Sequence, residues 1–137
     1  MKKTFLLLTI LILFGRISFA ATYLDPELTW KTIETPHFYI HFHNGEEDAA
    51  AYLAGISENV HMELKMFLKH EVNKKIQVVL FDHQDYSNGY ATVVGNPQIT
   101  IFLTDSSLVL NKFNYKEWLK FVFIHEFCSL TSFLLFF

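Results

Sequence analysis

Apolar residues recur along the chain with two distinct periods, and the switch between them marks its elements. Phe38, Ile40 and Phe42 alternate with His37, Tyr39, His41 and His43, the period of a strand with one face against a core. Asn44-Gly45 ends that run. From Glu46 to Lys69 the spacing lengthens: Leu53, Ile56, Val60, Leu64, Phe67 and Leu68 recur at three- and four-residue steps, one apolar stripe of a helix. Glu46, Glu47 and Asp48 fall in its first turn and Lys65 and Lys69 toward its end, which complements the helix dipole. Ile76-Gln77-Val78-Val79-Leu80-Phe81 is a β-branched run that predicts a buried strand. Asn88-Gly89, in the polar stretch 82–92, predicts a turn. Val93-Val94 and Ile99–Leu103, on either side of Gly95-Asn96-Pro97, predict a hairpin with a longer loop. Ahead of these, Asp25–Trp30 reads as a lead-in with Trp30 as the first core anchor. Asn114 is placed to cap a last helix over 115–127. The order strand, helix, strand, hairpin strand, helix predicts an α+β fold, a small mixed sheet packed by two helices.

Composition changes this picture mainly at the amino end. Half of the 137 residues are hydrophobic (51%), with 15 Phe, far too apolar for a disordered chain. Lys2 and Lys3, the apolar run Phe5–Phe14 and the small-x-small site Ser18-Phe19-Ala20 predict a signal peptide over 1–20. The apolar run is short of the roughly 20 residues a membrane span needs; an uncleaved amino-terminal anchor is the alternative. Export to a periplasmic or extracellular space follows, with no stable membrane span after cleavage and one domain over 21–127. Without Lys2, Lys3 and Arg16, 8 of the 11 basic residues remain against 14 acidic ones, a net charge of about −6. The basic residues are not clustered, so nucleic-acid binding has no support. A single Cys128 excludes an internal disulfide.

Most of the chemistry-bearing residues fit ordinary roles. His41 and His43 share a strand face and could share a metal, though a solvated face is the simpler reading. His37, His61, His70 and His83 have no partner at ligand spacing and are expected at the surface. Asp82, Asp85 and Asn88 lack the closing Glu of a calcium loop and fit a turn. His125-Glu126 is different. It lies on an apolar helical run, Trp118–Phe127, where two ionisable groups need a reason to be placed. His-Glu opens the zinc-peptidase motif H-E-x-x-H, in which two His four residues apart share a helix face and one zinc, and the Glu is general base to the bound water.

Beyond that pair, Trp30 with Thr35-Pro36-His37-Phe38-Tyr39-Ile40-His41-Phe42, then Val79-Leu80-Phe81-Asp82, Asn88-Gly89-Tyr90-Ala91-Thr92, Ile99–Thr104, and Trp118-Leu119 leading to His125-Glu126-Phe127, together resemble the amino-terminal part of bacterial exported gluzincin-type (peptidase MA-like) metallopeptidases. The resemblance spans Trp30 to Phe127. It implies a zincin-like amino-terminal subdomain, zinc bound by His125, Glu126 as general base, and an extended peptide or protein substrate laid along an edge strand at Ile99–Leu103. The chain departs from that pattern at Ser129, which stands where the second zinc His belongs, and a downstream Glu ligand is not found before residue 137. Peptide hydrolysis is therefore expected of the intact relative and not of this chain, which is expected to hold no stable zinc there; a non-catalytic exported binding module is the competing reading. Residues 128–137 are expected to be out of frame. One permitted coding of 128–132, TGC TCA CTT ACT TCA, reads GCT CAC TTA CTT CAT, or Ala-His-Leu-Leu-His, when its first T is dropped and the first T of the Phe133 codon completes the last triplet, and the motif is restored.

Overall fold

The computed structural model describes residues 28–82, 88–103 and 115–136. The expected signal segment, His83, Asp85 and the Asn114 cap lie outside the described residues. Five strands, β1 (Trp30–Glu34), β2 (Phe38–His43), β3 (Ile76–Phe81), β4 (Asn88–Thr92) and β5 (Gln98–Phe102), form one sheet in the order β1-β2-β3-β5-β4. Two helices accompany it, α1 (Glu47–Leu68) and α2 (Tyr115–Phe136). The predicted α+β class, a mixed sheet with two helices, is what the described residues form.

The alternation holds over 38–42, where Phe38, Ile40 and Phe42 are buried while Tyr39 and His41 are only partly so; His43, expected on the solvated face, is buried instead, under the rings of Trp30 and Phe81. β2 continues through α1 into β3, and the two strands pair in parallel, Phe38 opposite Ile76. β3 in turn pairs in parallel with β5, Val78 opposite Ile99. The same core takes in Leu53 and Val60 of α1 and Leu119, Phe123, Phe127 and Leu130 of α2. Those four residues of α2 follow one another at four-, four- and three-residue steps, so they form one stripe, and each is at most 1% exposed. Burying each such side chain contributes about 1.5–3 kcal/mol relative to leaving it in water, which makes α2 an integral layer of the fold. By length and composition α2 is also apolar enough to cross a membrane.

Several expectations need correction. Trp30 is no core anchor: it opens an edge strand, β1, that pairs antiparallel with β2, and it is 39% exposed. The turn expected at Asn88-Gly89 is a strand, β4, and Val93-Val94 lies beyond its end. The outer strand on this side of the sheet is therefore β4; Ile99–Phe102, expected at the edge, lies in β5 between β3 and β4, and Leu103 follows it. A hairpin does join β4 and β5, with Thr92 opposite Gln98 and Gly95 at φ +83° in its loop. Phe67 is 79% exposed despite its place in the α1 stripe. The reason is length: a 22-residue helix runs about 33 Å, and a six-residue strand about 20 Å, so the last turns of α1 outrun the sheet. The last helix does not stop at 127; it continues to Phe136 and buries Leu130 and Thr131.

Candidate functional site

The helical period decides where α2 presents its polar groups. His125 is two residues, about 200°, from the buried Phe123, and so is exposed. Ser129, one turn on, shares its face. Together with Cys128, Ser132 and Phe133 these residues line an open cleft of about 430 Å³. The Ser132 hydroxyl donates back to the Cys128 carbonyl at 2.8 Å, and Thr131 donates to Phe127. Glu126 projects about 100° from His125, onto the flank of the apolar stripe, and is only 9% exposed.

What Glu126 faces is β4. A Cβ on Gly89 of β4 would lie 2.9 Å from both Glu126 Cγ and Val122 Cγ1, and 3.3 Å from Glu126 Oε1. Contacts that short exclude a side chain, so Gly89 is the residue that lets α2 close on β4. The helix thereby holds a carboxylate over the face of β4, the outermost strand on this side of the described sheet, with an exposed imidazole beside it. Among the described residues the cleft's donor set is one imidazole, one thiol and two hydroxyls. A catalytic zinc takes three protein ligands drawn from His, Cys, Asp and Glu, so these residues do not fit that role. Among the described residues His125 belongs to no cluster of three metal-ligating side chains.

His41 and His61 are less solvated than their spacing suggests. His41 shares no metal geometry with His43: its Nδ1 lies 2.8 Å from Thr32 Oγ1 and its Nε2 2.7 Å from Gln77 Oε1. His61, expected at the surface, is 4% exposed. It stacks on His37 with ring centres 3.8 Å apart and on Phe127 at 5.9 Å. His37 Nδ1 meets Glu58 Oε2 at 2.7 Å, while Glu58 Oε1 accepts from Thr35 Oγ1 at 2.6 Å and from the His37 amide at 3.0 Å. Burial, and then the neighbouring His37, lower the pKa of His61, while these donors outweigh burial and lower that of Glu58. Parallel stacked rings aim their nitrogens in parallel planes, which suits a packed staple between α1 and β2 better than convergence on an ion.

A second cluster forms where β2 and β3 end. His43 Nε2 stands 3.3 Å from Glu46 Oε1 and 3.0 Å from Asp82 Oδ1. His43 and Glu46 are almost wholly buried; Asp82 is partly open to solvent. The sequence did hold one signal, a His and a Glu three residues apart at 43 and 46, but Asp82 joins them only through the parallel pairing of β2 with β3. Comparison with family models, with curated proteins and with solved structures finds no match to this chain.

Proposed function

We propose that this chain is the amino-terminal part of an exported gluzincin-type zinc metallopeptidase, interrupted within its active-site helix and catalytically silent as it stands. The observation that carries this reading is the contact at Gly89. It sets Glu126 over the face of β4, the outer strand to which an extended peptide would add as a further strand, and leaves His125 facing the adjoining cleft. That is the disposition a general base and a first metal ligand need. Silence follows from Ser129, which stands where the motif needs its second His: among the described residues the cleft offers too few metal-ligating side chains for zinc. The strand that receives the peptide is β4, in place of the one expected from the resemblance. Residues 1–20 support export.

The test is to express the coding sequence with one nucleotide removed directly after codon 127. The product of that frame is expected to hydrolyse an unstructured protein substrate in a zinc-dependent manner, and Glu126→Gln within it to lower kcat by about 10²–10⁴-fold. The chain as it stands is expected to give no hydrolysis. A re-framed product without zinc-dependent activity contradicts the proposal. One observation favours the binding-module reading: the β4 side of the sheet is open, with Tyr90 48% and Val94 87% exposed. Capture of an extended peptide by the present chain, combined with an inactive re-framed product, would put that reading ahead.

A further inference from the structure

At the carboxyl ends of β2 and β3, three ligand atoms converge on one point. His43 ends β2, Glu46 sits in the turn before α1, and Asp82 follows β3. Their donor atoms all lie within 4.8 Å of one another. Crevices beyond the carboxyl ends of parallel strands are a common place for ligands in open sheets.

The proton on His43 can be placed from chemistry alone. Its Nδ1 lies 3.0 Å from the Asn44 carbonyl oxygen, which can only accept, so Nδ1 carries the hydrogen. In the neutral ring Nε2 then presents a lone pair, and it faces two carboxylate oxygens at 3.0 and 3.3 Å. Positive charge placed among these atoms would offset the repulsion between the two carboxylates. A proton on Nε2 supplies one charge to two carboxylates, whereas a divalent ion supplies two.

Other features favour the ion. An imidazole whose second nitrogen donates to a backbone carbonyl is the usual arrangement of a metal-binding His. Glu46 is fixed in the same manner, its Oε2 accepting from the His43 amide at 2.9 Å, which aims Oε1 inward. Ligands about 2.1 Å from a common zinc-sized ion stand about 3.0–3.4 Å apart, which matches the two distances from His43 Nε2, 3.3 and 3.0 Å. The rings of Trp30 and Phe81 close edge-on over His43, at 5.6 and 6.4 Å, and strengthen charge interactions by excluding water. Tyr115, which opens α2, lies close enough to Glu46 and Asp82 to feel their charges. Asp82, 45% exposed, leaves a path for an ion and for water ligands.

We propose that His43 Nε2, Glu46 Oε1 and Asp82 Oδ1 form a binding site for a divalent first-row metal ion of the zinc class. One imidazole and two carboxylates suit such an ion better than a purely oxygen-seeking one. The site does not depend on the peptidase reading: His125 lies about 15 Å along α2 from Tyr115, the end of the helix nearest this cluster. Bound there, the ion ties the ends of β2 and β3 to the start of α1 and stabilises the folded chain by mass action.

The test is calorimetric titration of the metal-stripped full chain with Zn²⁺ alone, alongside Asp82→Asn, Glu46→Gln and His125→Ala. About one equivalent is expected in the parent and in His125→Ala, weakened at least tenfold in Asp82→Asn and Glu46→Gln. Asp82→Asn, at a half-open side chain, keeps the test valid if Glu46→Gln does not fold. Nitrogen NMR of the His43 ring provides a second readout: Nε2 is expected to change from its metal-free signal on zinc addition. No zinc equivalent in the parent, an equivalent lost in His125→Ala but kept in Asp82→Asn, or an Nε2 that stays protonated in the presence of zinc would overturn the proposal in favour of a plain imidazolium ion pair.

Discussion

At the scale of single residues, histidine carries the largest gap between spacing and environment. His61 occupies a helix position that spacing assigns to the surface, yet it is buried between His37 and Phe127. Burial disfavours its charged form, and so does the adjacent His37. The sign follows from proton linkage. A His whose folded pKa is lowered binds fewer protons folded than unfolded, so stability is lost as pH falls through the unfolded value near 6.5. The acidic groups act in another window: Glu34, Glu47, Glu58 and Glu71 are all lowered from about 4.5, and their contribution is lost only below that value. Urea unfolding from pH 7.5 to 5 is therefore expected to show a fall in midpoint below about pH 6.5, and His61→Phe, which keeps the stack, is expected to flatten it. An unchanged slope in that variant would remove His61 from the account.

Elements were legible in proportion to how much of their pattern is set locally. β2, α1 and β3 appear within a residue or two of their predicted bounds, since each packs one regular apolar face. β1 was missed because it lies at an edge and is mostly exposed, so Trp30–Glu34 shows no alternation. β4 was read as a turn because Asn88-Gly89 is a turn signal. There the glycine answers to a neighbour far along the chain, the flank of α2, which no local pattern records. Gly89→Ala should drive a methyl into Val122 Cγ1 and Glu126 Cγ, both 2.9 Å away, at a cost of about 1–3 kcal/mol. Val122→Ala added to it is expected to recover part of that loss, a coupling readable by chemical denaturation in a double-mutant cycle. Additive losses would mean that α2 and β4 are not in this close contact.

For the whole molecule, one half of the candidate chemistry was legible and the other was not. His125 and Glu126 are neighbours in a recognisable motif, and the helical period alone separates the exposed imidazole from the buried carboxylate. His43, Glu46 and Asp82 become a cluster only once the β2–α1–β3 crossover is formed. The tail adds a constraint of its own: α2 continues helical through the expected out-of-frame residues and buries Leu130 at 0% exposure. An apolar run at helical period suffices for that, so good packing beyond residue 127 and a displaced reading frame are compatible. The measurement that bears most directly on the central claim is the nucleotide sequence of the gene from codon 127 through about the next 300 nucleotides. The account predicts a His codon at position 129 in the frame shifted by one nucleotide, followed by an open frame that encodes a further helix bearing a Glu ligand. A shifted frame without that His codon, or closed within a few codons, would contradict the interrupted metallopeptidase and leave an exported binding module in its place.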